Sequence, residues 1–373
     1  MELFREVTRI SKYKSVEDFV GEIKTGETDF IFASKAIFET YFAKYNLKGC
    51  VHYKSEYGNG EPTDLMIEKL RTDFYASGCE RIIAIGGGAV IDMAKILVLD
   101  VSKEVSAEQI FRKEVKLKKR YPLIAVPTTC GAGSEVSSVS IMEVPRLHTK
   151  LGLADPGLFP DEAILIPELL RQLPFSFFAT SAIDAMIHAM ESFVSPKANL
   201  YTEMFSKEAI KLLVKGFGRL AEEGKEARME MLEEFLVASN LAGIAFANAG
   251  TGTVHAMSYP LSGTYHVTHG EANYQFLTAV FGTYQRLKPD GKIRQITSLI
   301  SRELNCQEEE AYNELEKLLC AIVPRKPLHE YGMKEEEIKS FPKSVAESQQ
   351  RLLNQSYIKL SEEQMEEIYR KLY

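Results

Sequence analysis

From Phe235 to Gly270 the chain carries no Asp, Glu, Lys or Arg, although 26% of its residues are charged. A run of that length has to be buried, in a lipid bilayer or in the protein's own interior. Asn240, Gly243, Asn248, Gly250, Gly252, Pro260 and Gly263 interrupt it, and a lipid-facing segment would leave His255, His266 and His269 unsatisfied. The run therefore reads as a buried helix leading into a site loop, and no membrane partner is expected.

An interior able to hold such a run needs a large core, and 373 residues suffice for two domains. With 45 Lys and Arg against 52 Asp and Glu, the net charge of −7 repels polyanions, which argues against a nucleic-acid partner. The basic run Arg112 to Arg120 is broken by Glu114 and lacks interleaved aromatic residues, so it reads as a solvated helix face. The five cysteines are odd in number and form no C-x-x-C, which speaks against a disulfide framework and against a thiolate zinc site. A reducing, cytoplasmic setting follows, and the charged residues Arg5, Glu6, Arg9, Lys12 and Lys14 near the start leave no apolar signal segment.

The first part alternates short apolar runs with helical spacing. Asp29–Ala33, Arg81–Ile85 and Leu123–Val126 read as buried parallel strands, with helices over Glu61–Ser77 and Val90–Val101 between them. From about Leu169 the strand signals stop, and amphipathic segments follow at Tyr201–Glu223, Ala227–Asn248, Gly291–Leu304 and Glu308–Val323. Pro156, Pro160 and Pro167 mark the joint. The reading predicts an α/β Rossmann-like parallel-sheet domain over residues 1–166 and an all-helical domain over residues 167–373.

Gly86, Gly87 and Gly88 end a strand and open a helix that continues through Asp92. Bare glycine backbone there suits an anion at a helix N-terminus, and equally a plain tight turn; neither G-x-G-x-x-G nor a P-loop is present. A second glycine loop, Pro127 to Glu135, follows the next strand, and its Thr128, Thr129 and Ser134 hydroxyls suit a nucleotide. No G-x-S-x-G elbow surrounds Ser134, which excludes the usual serine hydrolase arrangement.

Asp184 and His188 lie four apart on a helical segment, hence on one face. An isolated pair of this kind also fits a carboxylate that merely orients a core histidine. His255, His266 and His269, three of the seven histidines, crowd the charge-free run and shift the balance toward a site. One carboxylate with two or three imidazoles suits Fe2+ or Zn2+, and beside a nucleotide fold such an ion would polarise an alcohol or carbonyl oxygen for hydride transfer.

These elements in this order resemble the iron-containing (group III) alcohol dehydrogenases, a family with the dehydroquinate synthase-like architecture. Gly86 to Lys95 is similar to the family's GGGSxxDxAK, Pro127 to Glu135 to its PTTxGTGSE loop, and Gly252 to Gly270 to its GxxHAM…HG segment. The resemblance implies NAD as cofactor, Fe2+ (or Zn2+) held by Asp184, His188, His255 and His269, and a homodimer. It also implies a cofactor site made of Ser34, Gly86, Gly87, Gly88, Asp92, Thr128, Thr129 and Ser134, with Lys150 near the nicotinamide.

Segments such as Tyr57 to Pro62, Tyr265 to Val267 and Arg325 to Leu328 are most like those of members that interconvert 4-hydroxybutyrate and succinate semialdehyde. A small-molecule substrate of that kind is therefore expected. The same scaffold also serves other small alcohols or diols, and lyases of the dehydroquinate synthase type; the latter need cationic side chains that the charge-free run lacks. Two departures stand out. Tyr259 replaces a histidine four residues after His255, so His266 is expected to move the proton, with Tyr259 either sharing the work or only filling space. Ser34 stands where an Asp often holds the ribose diol, which weakens the preference for NAD over NADP.

Overall fold

The computed structural model describes residues 3–147 and 149–373. The chain divides into two compact units, one of Glu6–Leu173 and one of residues 3–5 with Pro174–Tyr373.

The first unit is built on β1 (Arg9–Lys12), β2 (Asp29–Ala33), β3 (Cys50–Tyr53), β4 (Arg81–Gly86), β5 (Leu123–Pro127), β6 (Val139–Val144), β7 (Thr149–Ala154) and β8 (Glu162–Leu165). Six strands form one sheet in the order β1-β8-β5-β4-β2-β3, every neighbouring pair parallel. All five residues of β2 and of β5 are buried, as required of a parallel sheet covered on both faces. Alternation sorts them. Phe30, Phe32, Ile82, Ala84 and Leu123 pack with Leu70 and Phe74 of helix α1 (Asp64–Ser77) and Ile91 of helix α2 (Gly88–Leu97). Ile31, Ile83, Ile85 and Val126 turn to the other side, against Phe19, Phe42 and Leu169.

The three strands expected from sequence are present, and so are both helices. Thr63 caps α1 by accepting from the Met66 N–H. Three sheet strands escaped the sequence reading: β1, β3 and β8 are only four residues long, and in β1 and β3 no residue is fully buried. The antiparallel pair β6–β7 was also missed. Helix α2 stops at Leu97 rather than Val101, because the Val98 carbonyl accepts from the Arg120 and Tyr121 N–H groups and Leu99 bridges to Lys119. Those same contacts explain why residues 112–120 are solvated but not helical, with Lys113 at φ 55°.

The second unit contains no strand among the described residues. Its helices α3 (Phe175–Val194), α4 (Leu200–Glu223), α5 (Leu232–Ala249), α6 (Thr253–Tyr265) and α7 (His269–Leu287) hold its core. Further helices follow at Lys292–Leu304, Ala311–Ile322, Glu337–Ser348 and Glu362–Leu372, with the single turn Gln350–Leu353 before the last. The expected site loop is itself helical: α6 runs through Pro260, and His255 sits within it. No described helix is long and apolar enough to cross a membrane.

Candidate functional site

Helix α3 is buried along nearly its whole length, from Phe178 to Val194 apart from Ser181. Asp184, His188 and Glu191 recur at intervals of four and three, so all three project from one face. Helix α6 brings His255, and the first turn of α7 brings His269. Gly270 lets α7 come that close: a Cβ there would lie 2.6 Å from the Thr180 carbonyl oxygen of α3.

Asp184, His188, His255 and His269 offer ligand atoms that all lie within 4.8 Å of one another. The His188 and His255 Nε2 atoms are 3.1 Å apart, and the His255 and His269 Nε2 atoms stand 4.0 and 3.9 Å from Asp184 Oδ1. His188 stacks on Phe246 of α5, with centroids 4.5 Å apart, which is one use of the charge-free run. Burial pushes the Asp184 carboxyl up, but the three imidazoles and the Asn273 amide outweigh it and hold the group below the ordinary carboxylate range. Converging nitrogens around one buried carboxylate form a three-nitrogen, one-oxygen donor set, which fits a borderline divalent ion.

Two supporting residues were not singled out in sequence. Asn273, fully buried, donates to Asp184 Oδ1 at 2.7 Å and lies 3.1 Å from His269 Nε2. Glu191 meets His255 Nδ1 at 2.6 Å and accepts from the Gly252 and Val254 N–H groups. The helical interval from His188 to Glu191 was the available signal. Tyr259 is half-buried on α6. His266 is exposed and caps that helix in the left-handed region at φ 54°.

In the sheet unit, β4 and β5 run side by side, with Gly86 paired to Pro127, so both glycine loops leave from adjacent strand ends. A Cβ at Gly88 would approach the Ala132 Cβ to 2.8 Å, and one at Gly87 would approach the Thr129 methyl to 3.0 Å. The glycines are thus required for the loops to pack, whatever they bind. Asp92 and Ser134 are engaged internally. Lys95, fully buried, donates to Ser134 Oγ (2.7 Å), Ser137 Oγ (3.1 Å) and the Val139 carbonyl (2.6 Å), and pairs with Asp92 at 3.5 Å. Ser134 donates to Asp92, and Asp92 also accepts from the Ile141 N–H. Burial lowers the Lys95 amine and raises the Asp92 carboxyl. Thr128 is buried and Thr129 half-buried; Ser34, at the end of β2, donates its N–H to Ile85 of β4 at 2.8 Å. Lys150 on β7 pairs with Glu143 on β6 at 3.5 Å.

A doubly covered parallel sheet with glycine loops at its strand ends, in a chain that also builds a three-imidazole, one-carboxylate cluster buried in all but His269, is the pattern of a metal-dependent enzyme that uses a nucleotide. The chain belongs to the iron-containing alcohol dehydrogenase family: the iron-containing alcohol dehydrogenase model matches residues 3–167 and the C-terminal model of the Fe-containing family matches residues 178–373. It is 46% identical to 4-hydroxybutyrate dehydrogenase of Clostridium kluyveri over 373 residues, covering 100% of both chains. An iron-containing alcohol dehydrogenase from Thermococcus thioreducens superposes with a TM-score of 0.82 at 27% identity, covering 100% of this chain and 99% of that one. Sulfoacetaldehyde reductase from Bifidobacterium kashiwanohense, solved with NAD+, shares the fold at a TM-score of 0.83 and 22% identity, covering 100% and 98%. The protein is an NAD-dependent oxidoreductase acting on an alcohol, with iron as the family's metal.

Proposed function

We propose that the protein interconverts 4-hydroxybutyrate and succinate semialdehyde with NAD(H). The observation that carries the substrate is the end-to-end likeness to the clostridial enzyme. In this reading Asp184, His188, His255 and His269 hold Fe2+, and Zn2+ fits the same donors. When bound, the ion polarises the alcohol or carbonyl oxygen and the nicotinamide exchanges the hydride.

The chain's own residues do the rest. Backbone N–H groups of Gly87 and Gly88, at the start of α2, receive the pyrophosphate, with Gly86, Asp92, Thr128, Thr129 and Ser134 shaping the pocket around it. Ser34 faces the ribose and Lys150 the nicotinamide end. The sheet unit, Glu6–Leu173, is the nucleotide-binding part and the helical unit from Pro174 is the metal and substrate part, so the joint lies seven residues beyond the one expected between 166 and 167. Asp184 supplies the negative charge that offsets the ion, and Phe246 keeps water from His188. Tyr259 and His266 divide proton transfer and recognition of the substrate carboxylate, each being able to donate to it. The protein works in the cytoplasm as a homodimer; five free thiols support a reducing compartment.

The test is oxidation of 4-hydroxybutyrate followed at the NADH absorbance band, against butanol and 1,3-propanediol. Faster turnover of either neutral alcohol would overturn the substrate assignment. Tyr259→Phe is expected to raise KM for 4-hydroxybutyrate more than for butanol, and His266→Ala to lower kcat and move its pH profile. Equal losses on charged and neutral substrates would remove both residues from this role.

A further inference from the structure

Glu191 is 2% exposed, lies on the ligand-bearing face of α3, and has no Lys or Arg among its contacts in the described structure. A carboxylate is costly to bury without a counter-charge. Three donors surround it: the Gly252 N–H at 2.9 Å, the Val254 N–H at 2.6 Å and His255 Nδ1 at 2.6 Å. Gly252 is shaped to it, since a Cβ there would stand 3.3 Å from Glu191 Oε1 and 3.0 Å from Ser356 Oγ. The two backbone contacts fix the carboxylate at the entrance of α6, and the third fixes the imidazole. Because a carboxylate accepts and does not donate, His255 must carry its proton on Nδ1, which leaves the lone pair on Nε2 facing His188 and Asp184.

We infer that Glu191 is a positioning residue for the metal, setting the tautomer and orientation of His255 and supplying a second negative charge one bond network away from the ion. This rests on the reading that Asp184, His188, His255 and His269 are the ligands. The role goes beyond holding α6 in place. A glutamine would fill the same volume, but its amide cannot both accept from the two backbone N–H groups and accept from His255 Nδ1 without turning its NH2 toward a donor.

The experiment is Co2+ binding to the full-length, metal-stripped protein, in competition with a chromophoric chelator, together with the ligand-field spectrum. Glu191→Gln is expected to weaken binding about 10- to 100-fold and to alter the spectrum. Glu191→Asp, which keeps the charge, should recover part of the affinity. In a His255→Ala background Glu191→Gln should cost nothing further. Wild-type affinity in Glu191→Gln, or an equal loss with and without His255, overturns the role of Glu191 alone. Undiminished binding in His255→Ala overturns the ligand reading, and this inference with it. Should Glu191→Gln not fold, wild-type affinity in Glu191→Asp, whose shorter side chain draws back from Nδ1, has the same overturning force.

Discussion

Asp184 is the single anion among four ligand candidates, so its removal changes both donor number and charge. Asp184→Ala or His269→Ala is expected to abolish metal retention and turnover while leaving the helical unit folded, since most of the buried surface of α3 and α7 lies elsewhere. Elemental analysis after dialysis, with circular dichroism as the folding control, checks this; full metal occupancy in either variant would displace that residue from the set. Asp184 and His188 stood out by their helical spacing and His255, His266 and His269 by crowding a charge-free run, but only the family resemblance separated the ligand set from His266. Glu191 and Asn273 did not stand out, since Glu and Asn are common on helices and only the third dimension reveals that they are buried against ligands. For His266 the sequence offered only the chemistry, and its place as the exposed, left-handed cap of α6 is a backbone property that spacing does not show.

Helix α2 is joined to β6 by the buried Lys95 with Asp92, Ser134 and Ser137, a polar connection inside an apolar unit. Replacing Lys95 by Met leaves the Asp92 carboxylate and two hydroxyls without their cation, at an expected cost of about 3–5 kcal/mol. Urea unfolding of the sheet unit measures it, and Asp92→Asn in the same chain should restore part of the loss. A change below about 1 kcal/mol would mean the network is dispensable. At this scale the sequence was informative where an element is buried on both faces: β2, β4 and β5 appear as continuous apolar runs. It was silent for β1 and β3, the edge strands, whose partly exposed residues Arg9, Ser11, Lys12, His52 and Tyr53 form no continuous apolar run. The α6 helix was hidden by Pro260 and Gly263, local breakers overridden by packing.

Ser34 lies where β2 meets β4, beside the strand that ends in the glycine loop, with Ala33 paired to Ile85. Ser34→Asp would place a carboxylate there and repel a 2′-phosphate, so the preference for NAD over NADP is expected to widen roughly tenfold or more, about 1.4 kcal/mol. Ratios of kcat/KM for the two cofactors decide it, and an unchanged ratio would remove Ser34 from the cofactor site. The same sheet carries a second consequence, in the time the chain takes to fold. Its outer strand β1 pairs with β8, and the bond from Arg9 to Glu162 spans 153 positions. Loop closure over that distance precedes any gain from the pairing, which makes β1 the last strand to dock and, with only four residues, the first to leave. In native-state hydrogen exchange the amides of β1 should open well below the free energy that guards β4, leaving the first residues of the unit to come and go while its centre stays shut.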